Sequence, residues 1–256
     1  QQATKQNKDR LFKLAKADKD IATIEKLRDE LDFKSAKVYL EKLDNLSLND
    51  AISNRDLDTF QKLVDDGGDI SSIKVSELIE KKYDDEFIQI FIKQGIYVNI
   101  ANLVNKKYKF ETIKLALEHG ANTNDKDEKY LDGLFYAVYN EQKEITKLLL
   151  EYKAKINKQY LEGITALMFS VLNKNADIVK LLLDNGADTE IKSSNGFTAL
   201  IFSASENNIE AVKILLDHGA NVNAQSANKG TALMFSIMDH NNFEMAKILL
   251  EKGANP

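Results

Sequence analysis

The feature that most constrains this chain is a register that recurs about every 33 residues in its second half. A lysine inside an apolar helical motif marks each unit. The marks are Lys147, Lys180, Lys213 and Lys247, separated by 33, 33 and 34 residues. A short, repeated period indicates stacked units that bury their apolar faces mainly against one another. The period therefore predicts an elongated stack of small units.

The same register continues upstream with less regular spacing. The earlier marks are Glu25, Gln61, Gln89 and Lys114, and the intervals from Glu25 to Lys147 are 36, 28, 25 and 33 residues. The intervals of 28 and 25 residues leave no room for a full hairpin, so brief turns are predicted there. An extra helical segment is predicted at FKSAKVYLEKL, and the highly charged 9–27 is typical of a solubilising cap.

Each regular unit is predicted to contain two short helices. In one unit Thr165 precedes a first helix from Ala166 to about Asn173, and apolar residues at helical spacing predict a second helix over 177–184. Gly186 follows that second helix, where a left-handed cap is easiest without a Cβ. Lys153 occupies the same place one unit earlier, so we expect a strained cap there.

Three segments carry a resemblance to a known family: GITALM…DIVKLLLDNGADTE, GFTALIF…EAVKILLDHGANVNA and GTALMF…EMAKILLEKGAN. They resemble the helix opening G-x-T-P-L-H-x-A-A and the helix ending V-x-L-L-L-x-x-G-A-x-x-N of the ankyrin repeat family. The resemblance is specific over 130–256 and weaker over 8–129. It implies an all-α ankyrin-repeat solenoid of stacked helix-turn-helix units with short β-hairpin-like loops. Residues 1–129 would form irregular N-terminal repeats including the cap, continuous with regular repeats over 130–256.

The chain departs from the family pattern at two positions of the first helix. Alanine replaces the family proline, and an apolar residue (Met168, Ile201 or Met234) replaces the family histidine. We therefore expect apolar packing to replace part of the hydrogen bonding between units. The last unit has one additional residue, which we place in the turn over 239–242.

Composition narrows the classes of function. The formal net charge of −5 argues against a nucleic-acid binder, which needs clustered positive charge. The absence of cysteine removes disulfides, thiolate metal sites and thiol nucleophiles. The longest apolar run is far shorter than the ~20 residues of a membrane span. We therefore expect a soluble protein. Because the chain begins at Gln1, the sequence leaves open whether it is cytoplasmic or exported after signal removal.

No constellation of side chains predicts catalysis. His119 and His218 occupy equivalent places three repeats apart, which is too far to share a metal, because stacked helices lie ~8–10 Å apart. His240 lies in the turn of the last unit. Gly67 follows a helix rather than a strand, and 124–129 lacks the spacing of a calcium loop. The expectation is a protein that is not an enzyme, with no cofactor and no metal.

Four aromatic residues at 33-residue spacing allow two interpretations. Tyr136, Phe169, Phe202 and Phe235 could line a ligand groove or pack between successive units. A small residue such as Ser170 follows each phenylalanine, and this alternation of large and small side chains favours packing.

The better candidates for contact with a partner are positions that vary on a constant framework. The end of the first helix carries Tyr139, Leu172, Ser205 and Met238, and the hairpins carry Tyr160, Leu161 and Phe197. The resemblance places both sets on the concave side, where ankyrin-type proteins hold other proteins. Hairpin residues such as Phe197 could instead pack internally. We expect a non-catalytic protein-binding scaffold; the alternative is the targeting portion of a larger enzyme or effector.

The last unit carries apolar residues where the end of a solenoid is normally polar. These residues are Ile237, Met238, Phe243 and Met245. The alternatives are that the natural chain continues, or that a partner or a second copy covers this surface. Self-association through the C-terminal repeat is therefore one expectation.

Overall fold

The computed structural model describes residues 48–238 and 242–256. Over these ranges the chain is helical, with two isolated β-bridges and no longer strand pairing. This confirms the predicted all-α fold. The predicted cap at 9–27, the extra helical segment at 33–43 and His240 lie outside the described residues.

Short α-helices follow one another along the described ranges. They are α1 (Leu57–Asp65), α2 (Val75–Glu80), α3 (Asp85–Lys93), α4 (Ile100–Asn105), α5 (Phe110–Glu118), α6 (Gly133–Tyr139), α7 (Lys143–Glu151), α8 (Ala166–Leu172), α9 (Ala176–Asp184), α10 (Ala199–Ser205), α11 (Ile209–Asp217), α12 (Ala232–Met238) and α13 (Phe243–Glu251). Residues 48–53 are also helical, and Leu161–Gly163 form one 3₁₀ turn. No helix in these ranges is both long and apolar enough to span a membrane.

The chain divides into two compact units. One extends to Leu78 and includes Glu86–Ile96; the other comprises Ile79–Asp85 and Tyr97–Pro256. The division into irregular repeats (1–129) and regular repeats (130–256) concerns the spacing of the repeats rather than these two units, and it remains a prediction.

An aromatic cluster forms the centre of the first unit. The ring of Phe60 on α1 lies 5.3 Å from that of Phe87 and 5.4 Å from that of Phe91, both on α3. All three side chains are fully buried. Because aromatic rings bury a large apolar area, this cluster holds the two helices together.

The second unit is a stack of five helix pairs. The first helices α4, α6, α8, α10 and α12 pack in sequence, and the second helices α5, α7, α9, α11 and α13 do the same. Residues 94–99 alone join α3 to α4, whereas 119–132 separate α5 from α6. The shorter connection agrees with the brief turns predicted for the early repeats.

Side-chain caps start the first helices. Thr165 accepts a hydrogen bond from the Met168 N–H at 3.3 Å, and Thr198 accepts one from the Ile201 N–H at 3.4 Å. Caps of this kind stabilise a helix by about 1 kcal/mol. Met168 and Ile201 are themselves fully buried, which agrees with the expected apolar packing at the family's histidine position.

The ends of the second helices have the predicted left-handed geometry. Gly186 has φ 88°, and Lys153, one repeat earlier, has φ 64°. The lysine therefore adopts a backbone conformation that a Cβ disfavours.

The additional residue of the last repeat appears in the hydrogen bonding of its turn. In the preceding repeat the Asn208 N–H donates to the carbonyl of Ser203, five residues back. In the last repeat the Asn242 N–H donates to the carbonyl of Ser236, six residues back. The extra residue lies between Ser236 and Asn242, and 239–241 themselves lie outside the described residues.

Candidate protein-binding face

Four hairpin tips lie at 33-residue intervals in the second unit. They are 127–131, 160–164, 193–197 and 226–230, and in each the first N–H donates to the fifth carbonyl at 2.8–2.9 Å. We call the hairpins together with the first helices α6, α8, α10 and α12 the groove face. Hairpin and helix rings contact each other across this face, so the two sets of elements form one surface.

Adjacent hairpin tips are linked through their backbones. The Ser194 N–H donates to the carbonyl of Glu162 at 2.8 Å, and the Ala227 N–H donates to that of Asn195 at 3.0 Å. A Cβ at Gly196 would lie 2.4 Å from the Ala227 nitrogen, and Gly196 has φ 74°. Glycine is therefore required where this tip meets the next one.

One cluster of rings spans two repeats of the groove face. Phe135 lies at its centre, with ring centroids 6.1 Å from Tyr139, 4.9 Å from Tyr160 and 5.2 Å from Phe169. Tyr139 and Phe169 are 5.6 Å apart. We call Phe135, Tyr139, Tyr160 and Phe169 the aromatic patch. Its outermost ring, that of Tyr139, is 56% exposed, whereas the other three are half-buried.

A second cluster lies further along the same face. Phe197 on the third hairpin packs 5.1 Å from Phe202 and 5.2 Å from Phe235, which belong to two successive first helices. Phe169, Phe202 and Phe235 are half-buried and pack against the core. These contacts agree with the packing interpretation of the periodic phenylalanines, although each side chain stays partly accessible.

Tyr136, the fourth member of the periodic column, points elsewhere. It is buried, and its hydroxyl donates to the carboxylate of Asp127 in the hairpin. Its neighbour Phe135, which the periodic pattern did not indicate, takes the place in the ring cluster.

A buried ion pair supports the aromatic patch. The Asp132 carboxylate accepts hydrogen bonds from the Tyr160 hydroxyl at 2.7 Å, the Lys158 ammonium at 2.5 Å and the Phe135 N–H at 3.1 Å. The side chains of Asp132 and Lys158 are 3% and 17% exposed. Burial, followed by the nearby Asp132 charge, raises the pKa of Tyr160, so its hydroxyl remains protonated and donates.

Asp132 and Lys158 were also missed in the sequence analysis. The available signal was the helix-capping position, where Asp132 stands in place of a threonine. The later repeats have Thr165, Thr198 and Thr231 there.

The predicted partner-contact residues differ in exposure. Leu161 and Met238 are 85% and 80% exposed, and Tyr139 is also exposed. Half-buried positions are Tyr160, Leu172, Phe197 and Ser205. The rings bring Tyr139 and Tyr160 into one cluster through Phe135, whereas Phe197 belongs to the second cluster. The Ser205 hydroxyl donates to the Phe202 carbonyl at 3.0 Å.

Apolar side chains are also exposed on the last described repeat. They are Met234, Ile237, Met238, Phe243 and Leu250. The equivalent of Ile237 one repeat earlier, Ala204, is fully buried. The expectation that Met245 shares this exposed surface was wrong, because its side chain points into the stack and is fully buried.

The histidines of the described ranges make local contacts. His119 Nδ1 lies 2.9 Å from the Leu115 carbonyl, and His218 Nδ1 lies 2.8 Å from that of Ile214. His218 Nε2 also faces Asp184 at 3.1 Å. No group of three or more metal-ligating side chains occurs among the residues described.

Comparison with known proteins agrees with this geometry. The family model described as ankyrin repeats (3 copies) matches residues 98–193 and 185–256, which is more than half of the chain. A search of the curated proteins gave no significant match. Ankyrin repeats are generally protein-interaction modules. On the extent of this match and the stack of helix pairs, the chain belongs to the ankyrin repeat family.

Proposed function

We propose that this chain is a non-catalytic scaffold whose groove face, the concave side in this family, holds another protein. The observation that carries the proposal is the exposure of Tyr139. Three helix pairs follow it in the stack, and its side chain is still 56% exposed. A large aromatic residue that stays open inside a repeat array is typical of an interface anchor.

The variable column supports the same proposal. Tyr139, Leu172, Ser205 and Met238 occupy the same place in successive first helices, and none of them is charged. The surrounding framework of caps and buried apolar residues is retained from repeat to repeat. Variation at the surface of a constant framework allows one stack to distinguish partners by side chain alone.

An affinity capture experiment tests this proposal. The wild-type chain is compared with Tyr139→Ala/Leu172→Ala/Met238→Ala, and captured proteins are quantified by mass spectrometry. A matched triple variant, Lys147→Ala/Lys180→Ala/Lys213→Ala, alters exposed positions of the second helices. We expect the groove variant to lose a specific protein that the second-helix variant retains. Equal retention by all three proteins would contradict the assignment.

We also propose that two copies associate through the last repeat. Support comes from the exposed apolar side chains of α12 and α13, with Met238 80% exposed and Phe243 77% exposed. Sedimentation velocity at increasing concentration tests this, with Met238→Ser/Phe243→Ser as the variant. We expect association by the wild-type chain and a monomeric variant; a monomeric wild-type chain at all concentrations would reject self-association.

A further inference from the structure

Large apolar side chains are exposed at several points of the groove face: at Tyr130 in the first hairpin, at the aromatic patch and on α12. Leu161, which follows Tyr160 in the second hairpin, is 85% exposed, and Tyr139 on α6 is also exposed. One repeat later the equivalent of Leu161 is Ser194, and two repeats after Tyr139 its column carries Ser205. The column thus changes from a large ring at Tyr139 to a small hydroxyl at Ser205 and then to a large apolar side chain at Met238.

This exposure differs in origin from that of the last repeat. On α12, Met234 and Ile237 occupy positions that a following repeat buries elsewhere in the stack, as Ile201 and Ala204 show, whereas Met238 belongs to the same column as Tyr139. Tyr139 and Leu161 remain exposed even though later repeats cover their own repeats. Their accessibility is therefore a property of the groove face.

The two buried charged groups that contact the aromatic patch carry no net charge together. The charged groups that support it, Asp132 and Lys158, neutralise each other in a 2.5 Å ion pair. A charged side chain brought onto these rings by a partner would lose water without gaining a counterion from this pair. The pair therefore offers no unpaired charge to a partner, and the rings and Leu161 gain most from burying apolar surface.

The rings of the patch are held in place before any partner binds. Tyr160 is fixed at one end by its bond to Asp132 and along its face by Phe135 at 4.9 Å. The Lys158 ammonium lies 4.8 Å from the centre of the same ring. Side chains that are already ordered lose little entropy on binding, which favours their use as anchors.

We propose that the aromatic patch, together with Leu161, is the main docking point of the groove face, and that its occupant is an uncharged, apolar segment of a partner protein. This inference rests on the proposed function and adds the location of the anchor and the chemistry of the segment. Leucine, methionine or phenylalanine side chains of the segment lie against Tyr139 and Phe169, and polar residues of the next hairpin, such as Ser194, make the peripheral contacts.

A peptide-display selection tests both the location and the chemistry. A random library of about twelve-residue peptides is selected on the full chain, and enriched peptides are synthesised for titration by fluorescence anisotropy. Three variants are compared with the wild type: Tyr139→Ser/Leu161→Ser in the patch, Met238→Ser at the far end of the column, and the second-helix lysine triple variant. Each substitution lies at an exposed position, so the stack remains folded.

We expect enriched peptides to share an uncharged apolar core. The patch variant should weaken their binding at least about tenfold, as loss of an interface anchor does. The lysine variant should change it less than about twofold, and Met238→Ser should weaken it less than the patch variant does. Replacing the central apolar residue of the peptide with either glutamate or lysine should also weaken binding at least about tenfold.

The remaining outcomes separate this inference from the proposed function. Binding that depends on Met238 but not on the patch would overturn the docking point and leave a groove-face scaffold intact. A charged consensus that depends on Tyr139 would overturn the chemistry of the occupant. Sensitivity to the second-helix lysines alone would overturn both, and a failure to enrich any peptide that depends on the patch would reject the docking point.

Discussion

The Tyr160 hydroxyl donates a 2.7 Å hydrogen bond to Asp132, the residue that also caps the first helix of the preceding repeat. One carboxylate therefore fixes the hairpin of one repeat to the helix start of another. Because Lys158 pairs with the same carboxylate, two side chains of one repeat depend on a single buried group of the preceding repeat.

We predict strong energetic coupling between Asp132 and Lys158. Asp132→Thr keeps a helix cap of the type seen at Thr165 but leaves Lys158 without its carboxylate; we expect a loss of about 2 kcal/mol. Lys158→Met leaves the more deeply buried Asp132 without its cation, with a loss of about 3 kcal/mol. Urea unfolding of both single variants and the double variant measures the coupling.

The double variant decides the interpretation. With both charges removed, its loss of unfolding free energy should be smaller than the sum of the two single losses by at least about 1 kcal/mol. Losses that add to within about 0.5 kcal/mol would mean that the ion pair contributes little in solution.

The contacts of Asp132 show which part of the structure could not be predicted from the sequence. The period, the paired helices and the caps were predictable because they depend on local spacing and backbone chemistry. The partnership of Asp132 with Tyr160 joins residues 28 positions apart, and it depends on how the hairpin folds back onto the helix. No local pattern specifies that contact.

Lys153→Gly should stabilise the protein. Lys153 has φ 64°, a left-handed conformation in which a Cβ is disfavoured. Relief of that strain should raise the free energy of unfolding by about 1 kcal/mol. Thermal and urea unfolding measure the change.

The reverse substitution is the control. Gly186 has φ 88° in the equivalent cap, and a Cβ there would meet no atom within 4 Å. Gly186→Lys should therefore lose about 1 kcal/mol from the backbone conformation alone. A destabilising Lys153→Gly would show that the lysine side chain contributes more than its backbone costs.

Substitutions of Phe169 and Tyr139 should distinguish a packing role from a surface role within the aromatic patch. Phe169 is half-buried against two rings, so Phe169→Ala should lower the free energy of unfolding by about 2 kcal/mol, somewhat less than for a fully buried ring. Tyr139 is largely exposed, and Tyr139→Ala should cost below about 1 kcal/mol. Equal losses in urea unfolding would contradict this division between packing and surface.

His218 should make stability depend on pH. Its ring faces the Ile214 carbonyl and then Asp184, and these contacts raise the pKa of His218 above 6.5. The folded state thus favours the protonated ring, so the stabilisation is complete below about pH 6.5 and is lost as pH rises through the folded-state pKa. The stability difference between wild type and His218→Gln should be larger at pH 5.5 than at pH 8.5.

A second substitution tests the contribution of the Asp184 carboxylate. Asp184→Asn should reduce the pH dependence that His218 contributes, because Nε2 then faces a neutral group. His119→Gln changes the equivalent residue three repeats earlier and controls for general effects of removing a histidine. A difference between wild type and His218→Gln that is the same at both pH values would refute the linkage.

The sequence identified the variable column but not its exposure. Tyr139 and Ser205 occupy equivalent places in the repeat. Only the packed structure shows that the Tyr139 ring stacks on Phe135 and stays exposed. Similarly, Met245 was expected at the surface of the last repeat, but its side chain on α13 is fully buried. Burial depends on which neighbour each helix meets, and that information is not contained in a periodic pattern.

The constant geometry of the helix starts has an evolutionary consequence. Thr165 precedes Ala166 as Thr198 precedes Ala199, with the same cap on each helix. Removing 166–198 would join Thr165 directly to Ala199 and recreate a junction that the chain already uses. Gain or loss of whole units by recombination can thus change the length of the stack while every remaining junction keeps its chemistry.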